Sequence, residues 1–552
     1  MNNIYADAAF INGAVITAAD DGSLTEAVAV KGNKIIYTGT TAGLEKAMRT
    51  SAEQRIPVID LNGRTLMPGI IDTHYHPILF GLIGDGPDAS IINTFRTNCK
   101  SLADILGLVK EAALIKKPGE WVSMMGYEPT LLPEQRHPSI TELDAAAPDN
   151  PVHCMHGGGH ICVYNSRALA YIGVMKPADA AKYPDDEVEV KDGKLTGIVR
   201  GHTHFKLWGH VDYPEEAQKN AALKAQRHCL ENGVTSVHDA GEFGGTSYHL
   251  MQKLCGSGEF KIRTYMMLHD IFGKARSMEE NACWIKLGLM SGLGDTRFRI
   301  GPCKFMIDGG SGAPSCGTRE PFSHDPSLPR EFGWHREEVA EYIKIINDAE
   351  CQATAHAIGD EAIEYMVGGY EKAFLTNPRP DLRHRIEHCT ITDQNLIERM
   401  AAMNICPSVN VSSLSKLGKK FVDFYGDERN KYICAIRSML DSGIRCSLHS
   451  DAPSYPAGLA ILDAAVNRYD RTNGFQCDRT QAVSVLEAIR CMTYNGAYAS
   501  FEENIKGSIE QGKLADLIVL SDNVLNIPPE DIHKLKVDIT MIDGKIEYER
   551  EP

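Results

Sequence analysis

The chain has 552 residues, of which 43% are hydrophobic and 24% are charged, a composition typical of an ordinary globular protein. Its formal net charge of -16 has the wrong sign for a protein that binds a phosphate backbone, so we expect no nucleic-acid partner. No stretch approaches the ~20 apolar residues that a membrane-spanning helix needs, so we expect no membrane partner either.

The first residues and the cysteines bear on the location of the protein. The segment MNNIYADAAFINGAVITAADD has no cationic head followed by an apolar core, so it is not typical of a secretory signal. The 15 cysteines are odd in number, scatter along the chain and never occur as Cys-x-x-Cys. This distribution indicates reduced thiols rather than a disulfide framework. Together these features predict a cytoplasmic protein.

Both ends of the chain are rich in short strand-like runs. The start contains AAFINGAVIT, EAVAVKGNKIIYTG and RIPVIDLNGRTLMPG, and the end contains GKLADLIVLSDN and VDITMIDGKIEY. Turns with glycine separate these runs, as in small antiparallel sheets. Because the two ends bracket a long mixed α/β segment, we predict that residues 1–64 and 508–552 pair into one small β-sandwich domain.

The middle of the chain, residues 65–507, alternates strand-like runs with helical stretches. GVTSVHD, CQATAHAIG and RHRIEHCT are examples of the first kind, and REEVAEYIKIINDAE is an example of the second. This alternation predicts a parallel sheet with crossover helices, and its length favours a closed (β/α)8 TIM-like barrel over an open sheet. Residues 78–210 fit the rhythm poorly, so we predict that they form an insertion over the barrel mouth.

The strongest local motif is MPGIIDTHYHP, in which an apolar strand ends in His74-x-His76. Side chains alternate along a strand, so both imidazoles are expected on the same side. Two histidines placed in this way can bind one divalent ion. A lone His-x-His is more often unrelated to metals, but the Pro-Gly-hydrophobic-Asp context makes this motif specific.

This motif resembles the first-strand metal motif of the amidohydrolase superfamily. The chain from NGAVIT to GSIEQGKLADLIVLSD resembles the YtcJ-like branch (amidohydrolase family 3), which includes N-substituted formamide deformylases. Members combine a barrel with a small β-sandwich built from both termini, which agrees with the organisation predicted above. The resemblance implies metal-dependent hydrolysis of a non-peptide C–N bond, of amide or formamide type, in a small molecule.

The resemblance also implies a ligand set for two divalent ions. Zinc is the favoured ion, and manganese, iron and cobalt are alternatives because His and carboxylate sites accept all of them. The implied metal ligands are His74, His76, Lys304, His356, His388 and Asp451.

Lys304 fits such a centre only if its positive charge is removed. Carboxylation by CO2 would convert the amine into an anionic carbamate that could bridge both ions. The alternatives are that Lys304 pairs with Asp308 or binds substrate. Two ions that share a water would lower its pKa from 15.7 toward ~7 and supply hydroxide for attack on the carbonyl. Asp451 would then act as the general base and protonate the leaving amine, whereas the oxyanion partner stays open.

Other polar residues are candidates for contacts with substrate. His160 matches a family histidine that precedes the Asn165-Ser166 helix start, whereas His153 and His156 are better explained as structural residues. The branch usually has glutamate where this chain has Gly201, so its substrate need not be that of its relatives. The predicted substrate-binding residues are His160, Arg200, His202, His238, Asp308, Ser315 and Cys316.

Two of these candidates carry explicit alternatives. His238 and Asp239 end a strand and would either face the barrel mouth or form a buried hydrogen-bonded pair. Cys316 lies with Ser315 in the loop SGAPSCGTREPF, and we place it as a pocket residue because nothing in the sequence marks an adjacent base that would activate it as a nucleophile.

Two other functions compete with this interpretation. One is a mononuclear deaminase or a D-aminoacylase-like hydrolase that uses only part of the ligand set. The other is a non-catalytic relative that keeps the barrel as a binding module, which retention of the whole ligand set argues against. We also expect a homo-oligomer, with a dimer favoured, since most soluble oligomers are closed and symmetric.

Overall fold

The computed structural model describes residues 6–20, 22–48, 57–94, 99–129, 132–157, 159–183, 187–312 and 314–551. The predicted terminal domain also includes residues 1–5, 21, 49–56 and 552, and the predicted insertion includes 95–98, 130–131, 158 and 184–186. These positions, like residue 313, lie outside the described residues. No helix in the described ranges is long and apolar enough to cross a membrane.

A nearly closed barrel of eight parallel strands forms the centre of the molecule. Its strands, labelled β1 to β8, follow one another around the barrel in chain order: Ile70–Tyr75, Val234–Asp239, Arg263–Leu268, Phe298–Met306, Ala353–Ala357, Arg385–His388, Cys406–Val409 and Ser447–Leu448. Beyond β8, the Asp451 amide donates to the His74 carbonyl at 3.0 Å and joins the last strand to the first. The predicted barrel is therefore confirmed.

Helices surround the barrel and connect its strands. In Arg336–Asp348, the buried side chains of Val339, Ile343 and Ile346 recur at intervals of four and three residues, which gives the helix one apolar face toward the core. The helices that accompany the barrel are Pro77–Leu82, Glu215–Glu231, Gly245–Ser257, Lys274–Lys286, Arg336–Asp348, Asp360–Thr376, Gln394–Ala402, Leu414–Asn430, Ile436–Asp441, Leu459–Asn467, Val485–Cys491 and Tyr494–Ala499.

The two ends of the chain form two further sheets around a shared apolar core. Strand Leu517–Leu520 pairs antiparallel with Thr65–Pro68, which joins the C-terminal segment to the N-terminal one. Phe10, Val15 and Met541 are buried in the core between the sheets, so the predicted sandwich of both termini is confirmed. In sheet order the strands are Lys34–Gly39, Ala27–Lys31, Ala8–Ile11 and Val58–Asp60, and then Lys545–Glu549, Val537–Ile542, Leu517–Leu520, Thr65–Pro68, Ala14–Ile16 and Leu24–Thr25, with helix Thr41–Met48 beside the first sheet.

A seven-stranded sheet lies between β1 and β2 in the chain. Residues of this sheet and of helix Gly201–Trp208 line the cavity above the barrel, so this segment contributes to the site as well as to the fold. Its strands, in chain order, are Ile83–Gly84, Ile91–Asn93, Val122–Tyr127, Val152–His156, Ile161–Tyr164, Val188–Lys191 and Lys194–Arg200. Its α-helices are Leu102–Ile115, Ile140–Ala146, Ser166–Ala170 and Gly201–Trp208.

Short elements complete the described chain. The 3-10 turns are Pro177–Lys182, Pro380–Leu382, Val411–Ser413, Arg479–Gln481 and Pro529–Lys534, and a two-stranded hairpin joins Tyr469–Asp470 to Phe475–Gln476.

Candidate metal centre

The six predicted metal ligands face one cavity at the carboxyl ends of the barrel strands. They come from five strands that are far apart in the chain, and parallel strands bring their carboxyl ends to the same face of a barrel. The residues are His74 and His76 at the end of β1, Lys304 on β4, His356 on β5, His388 at the end of β6 and Asp451 after β8.

His74, His76 and Asp451 form one group of ligand atoms that lie within 4.8 Å of one another. Oδ1 of Asp451 lies 3.6 Å from Nε2 of His74 and 3.5 Å from Nε2 of His76. These distances are too long for good hydrogen bonds but close to the ~3.3 Å that separates two ligands of a tetrahedral ion with bonds near 2.0 Å. A carboxylate and two imidazoles at this spacing fit a divalent metal ion.

Two of the proposed ligands have backbone conformations that side chains rarely adopt. His388 has φ of 69° and Asp451 has φ of 57°, both in the left-handed region. Such conformations cost roughly 1–3 kcal/mol each and persist where the surrounding structure holds them, often at functional sites. This backbone strain therefore indicates that the site requires these particular conformations at the ends of β6 and β8.

A buried carboxylate beneath the centre orients His74. Glu387 on β6 accepts a hydrogen bond from Nδ1 of His74 at 2.8 Å, so the proton lies on Nδ1 and the Nε2 lone pair is free for a ligand bond. Glu387 also accepts from Oγ1 of Thr354 at 2.7 Å and from Nε of Arg385 at 2.9 Å. The sequence analysis did not identify Glu387 as part of the site, because its role depends on a partner 313 residues away.

Asp72 explains the acidic residue in the first-strand motif. It accepts hydrogen bonds from the Ser450 amide at 3.0 Å and from the Ser450 hydroxyl at 2.5 Å. These bonds fix β1 to the residue that precedes Asp451. Burial raises the pKa of Asp72 to about 7, with the Ser450 hydrogen bonds opposing that shift. Asp72 thus positions Asp451 rather than reaching the cavity itself.

Lys304 lies between the metal ligands at the centre of the barrel mouth. Its amine donates to the Ala240 carbonyl at 2.8 Å and lies 3.3 Å from Nε2 of His74. Burial lowers its pKa to about 8, with Glu387 and Asp451 opposing the shift, so more of the amine is uncharged than on a surface lysine. The alternative of an ion pair with Asp308 is not seen within the described residues.

The imidazoles of His74, His356 and His388 are neutral. Burial lowers the pKa of His74, His356 and His388 well below the usual range for histidine, and neutral imidazole is the form that binds metal. Nε2 of His356 bonds the Gly309 carbonyl at 3.1 Å, so this nitrogen carries the proton and Nδ1 keeps the lone pair. Nδ1 of His388 is buried without a hydrogen-bond partner among the described residues. An ion would satisfy such an orphaned nitrogen.

Two more histidines lie at this centre that the sequence analysis did not select. His449, at the end of β8, stacks on His74 with ring centroids 4.8 Å apart, and neither of its nitrogens has a partner in the described part of the chain. His269 follows β3 and lines the same cavity. The run MMLHD around His269 repeats the pattern of SVHD on β2, so an apolar run that ends in His-Asp was the available signal.

Four of the predicted substrate residues line a second cavity that adjoins the first. Arg200, His202 and Asp308 contribute to its wall, and His160 belongs to the walls of both cavities. The His160 ring centroid lies 5.4 Å from that of His356. Asp308 also accepts backbone hydrogen bonds from residues Gly317 and Gly359, both at 2.9 Å. The structure thus brings these four residues beside the centre, while Asp308 also holds two loops in place.

The other three predicted substrate residues do not contribute to the described walls of these two cavities. Nδ1 of His238 accepts a hydrogen bond from Arg385 at 2.7 Å, so His238 is buried within the barrel and its partner is Arg385 rather than Asp239. Ser315 accepts from the Gly310 amide at 3.1 Å. Burial raises the pKa of the Cys316 thiol well above its usual range, which opposes a role as nucleophile.

Comparisons with known proteins identify the family to which the chain belongs. The sequence matches the profile of the amidohydrolase family over residues 57–548. It is 28% identical over 569 residues to N-substituted formamide deformylase of Arthrobacter pascens, with 99% of this chain and 98% of that one covered. It is 27% identical over 548 residues to YtcJ of Bacillus subtilis (strain 168), provisionally named as an amidohydrolase, with 98% of both chains covered.

The fold also has a counterpart among solved structures. An uncharacterized metal-dependent hydrolase from Pyrococcus horikoshii OT3 superposes with a TM-score of 0.71 at 22% identity, and the match covers 95% of this chain and 99% of that one. This likeness concerns the fold, whereas the family profile spans most of the sequence. The protein therefore belongs to the amidohydrolase family, a family of hydrolases.

Proposed function

We propose that the protein is a binuclear metal-dependent hydrolase that cleaves an amide- or formamide-type C–N bond, other than a peptide bond, in a small molecule. One observation carries this proposal: six side chains with the chemistry of metal ligands, from five barrel strands, line a single cavity. The name of the Arthrobacter pascens relative supports a formamide-type substrate. Zinc is the favoured ion, and manganese, iron and cobalt are compatible with the same ligand types.

The ligand roles follow from the hydrogen bonds of each ring. His74 is held by Glu387 and His76 by the Gly241 carbonyl, which Nδ1 of His76 approaches to 2.9 Å, so both present Nε2 to the centre. His356 and His388 complete the opposite side, with their ring centroids 4.5 Å apart. Two divalent ions held in this way would lower the pKa of water to ~7 and polarise a carbonyl.

Asp451 is the residue that we assign to proton transfer. Its side chain is 18% exposed and lies beside the imidazoles of His74 and His76, so it can reach both the attacking water and the leaving group. We propose that its carboxylate takes the proton of the water as the C–O bond forms. It then gives that proton to the amine nitrogen as the C–N bond breaks, which yields a carboxylic or formic acid and an amine.

Lys304 is proposed to carry a CO2-derived carbamate. A lysine ammonium a few ångströms from two divalent ions would experience strong repulsion, whereas an anionic carbamate would be attracted to both. The uncharged amine that carbamate formation requires is favoured by the burial of Lys304 among the ligand residues. The modification would therefore stabilise the centre and be stabilised by it.

We also propose that the insertion shapes the substrate pocket and that the protein assembles as a homodimer in the cytoplasm. The insertion supplies His160 and Arg200 to the cavity walls, so differences between relatives in this segment would change the substrate. Light scattering tests the assembly, since a mass of one chain at working concentration would contradict the dimer.

The proposal is tested by metal analysis together with a screen of substrates. Protein purified without chelators should contain about two divalent ions per chain, and the loaded protein should hydrolyse a subset of N-formyl, N-acyl and cyclic amides. Asp451→Asn should keep its fold and most of its metal while kcat falls by roughly 10²–10⁴. Full activity with one ion per chain would favour the mononuclear alternative, and an Asp451→Asn variant with normal kcat would contradict the proton-transfer role.

A further inference from the structure

A second group of potential metal ligands lies in the insertion, outside the centre described above. His153 lies on strand Val152–His156, Cys162 on strand Ile161–Tyr164 and His204 on helix Gly201–Trp208. One ligand atom of each residue lies within 4.8 Å of the others, and all three side chains are buried. None of the three belongs to the ligand set assigned to the catalytic centre.

The sheet register explains why these residues meet. Met155 is paired with Cys162 and His153 with Tyr164 across an antiparallel ladder, and paired residues point to the same face. Residues two apart on a strand also share a face, so His153 and Met155 join Cys162 there. Helix Gly201–Trp208 covers this face and brings His204 onto it.

The imidazoles of this group lack the hydrogen bonds that buried histidines normally make. Both ring nitrogens of His153 and Nε2 of His204 are buried without a hydrogen-bond partner among the described residues. The backbone of Gly159 lies near the His204 ring and opposes the lowering of its pKa by burial. Buried polar atoms are rarely left unsatisfied, so three orphaned nitrogens at one place require an explanation.

The neighbours of His204 leave its free nitrogen available as a ligand. Nδ1 of His204 lies 2.8 Å from the Tyr164 hydroxyl, which is also 3.2 Å from the His204 carbonyl. In the tautomer that suits a metal site, the hydroxyl donates to this carbonyl and accepts the Nδ1 proton. The Nε2 atom of His204 then carries a lone pair, the arrangement in which an outer hydrogen bond orients a metal-binding histidine.

The protonation states of these three side chains also suit the binding of a metal ion. Burial lowers the pKa of His153 to about 3 and that of His204 well below its usual range, so both rings are neutral. Burial also raises the pKa of the Cys162 thiol. This thiol contacts the Val163 carbonyl at 3.7 Å and the Tyr164 hydroxyl, and would deprotonate on binding a cation.

We propose that His153, Cys162 and His204 form a buried site for one soft metal ion, and that monovalent copper is the preferred occupant. A thiolate with two imidazoles is a ligand set for copper and zinc. A copper(I) ion and one thiolate have no net charge, whereas a zinc(II) ion would leave one positive charge. The nearest side chains are apolar or aromatic, including Trp208, whose ring stacks with that of His153 at 5.3 Å. Burial of an unpaired charge there is unfavourable.

The geometry requires only a small adjustment to hold such an ion. Three ligands around a trigonal ion with bonds of 2.0–2.3 Å lie roughly 3.5–3.8 Å apart. The three ligand atoms now lie within 4.8 Å of one another, which is about 1 Å more than the spacing around a bound ion. Side-chain rotation can cover this difference. The thioether of Met155 shares the same face and is the candidate for a weak additional ligand.

The test uses the full chain after saturation of its catalytic centre with zinc. Copper(I) is then titrated anaerobically in competition with bicinchoninate, and zinc content and copper X-ray absorption are measured. We expect about one copper(I) per chain with one sulfur and two nitrogen neighbours, while zinc at the centre is retained. Because the catalytic ligand set contains no cysteine, a copper–sulfur signal does not come from the catalytic centre, and its loss in Cys162→Ser distinguishes this site from the other free cysteines.

Two variants make the test specific. Cys162→Ser should weaken copper binding by more than the roughly 10–100-fold that loss of an outer partner causes. Cys154→Ser should bind copper like the parent, because Cys154 is also buried but pairs with Val163 and points to the other face of the same sheet. Thermal unfolding of both variants checks that they remain folded.

Absence of copper binding in the folded parent, or equal binding by Cys162→Ser, would overturn the proposal. A Cys162-dependent thiolate-to-cobalt band that copper(I) cannot displace would overturn the assignment of the ion. Catalytic activity that disappears in Lys304→Ala while the copper–sulfur signal persists would support two independent sites.

Discussion

Replacement of Glu387 with glutamine tests whether the buried carboxylate sets the metal affinity of the centre. Glu387 is fully buried and accepts hydrogen bonds from His74, Thr354 and Arg385. Glutamine keeps the size and shape of the side chain but removes its negative charge. The bond to His74 at 2.8 Å would lose its charge-assisted character, and Arg385 would lose its buried counter-charge.

Loss of the charge-assisted bond to His74 and loss of the counter-charge of Arg385 differ in magnitude and are measured in different ways. Removal of an outer carboxylate from a ligating histidine typically lowers metal affinity by about 10–100-fold, or roughly 1.4–2.7 kcal/mol. Removal of one partner from a buried ion pair typically costs about 3–5 kcal/mol of stability. We therefore expect Glu387→Gln to bind metal more weakly and to unfold at lower denaturant concentration even when metal-free.

The assay is a competitive zinc titration against a fluorescent chelator, with denaturant unfolding of the metal-free proteins measured in parallel. Glu371→Gln is the matched control, because this carboxylate bonds Arg399 on the outer helices with 41% of its side chain exposed. Its loss should change stability by no more than about 1 kcal/mol and leave metal affinity unchanged. A folded Glu387→Gln protein with the zinc affinity of the parent would refute the role of Glu387 in orienting His74.

Two further predictions address Lys304 and the contact between the barrel and the terminal sheets. Lys304→Ala should lose metal and activity together, and a small carboxylate in the buffer should restore part of both; an unmodified Lys304 in the intact mass of fully active protein would rule out the carbamate. Arg263→Met should lower the free energy of unfolding by about 3–5 kcal/mol, because the fully buried Arg263 pairs with Asp516 and Asp543 of the terminal sheets. Arg297→Met, which removes a partly exposed partner of Asp543, is the control and should cost less; equal losses would contradict this reasoning.

The alternation of strand and helix patterns was sufficient to predict the barrel but not each of its strands. Strand β2 and strands β4 to β8 coincide with apolar runs that end in polar residues, and such runs are readable locally. Strand β3, Arg263–Leu268, was not identified, although its pairing with β2 and β4 is regular. It begins with a charged residue whose partner, Asp516, is 253 residues away, so the reason that Arg263 is buried is not present in the local sequence.

The site residues also fall into two groups: those that the local sequence identifies and those whose role depends on residues far away in the chain. Residues that would touch a metal occupy strand ends and have distinctive side chains, so His74, His356 and Asp451 could be selected from their sequence context. Glu387 directly precedes His388 in the chain. It was not predicted as a site residue of its own, because its function depends on the distant His74. His449 was overlooked because its neighbour Asp451 already accounted for the motif. The local sequence does not show that both ring nitrogens of His449 are buried without a hydrogen-bond partner among the described residues, because this depends on how the barrel strands come together.

The segment around Gly201 places an acidic side chain, Glu187, at the wall of the pocket. This chain has glycine where the related branch usually has glutamate, and Gly201 adopts φ of 56°, which favours glycine. A Cβ atom at this position would lie 2.7 Å from Oε1 of Glu187, so that carboxylate fills the space that a side chain would need. Glu187 accepts hydrogen bonds from the amides of His202 and Thr203 at the start of helix Gly201–Trp208, where a negative charge is favourable. The cavity beside Arg200 therefore has an acidic group, Glu187, in the space next to Gly201, where a substrate would meet it.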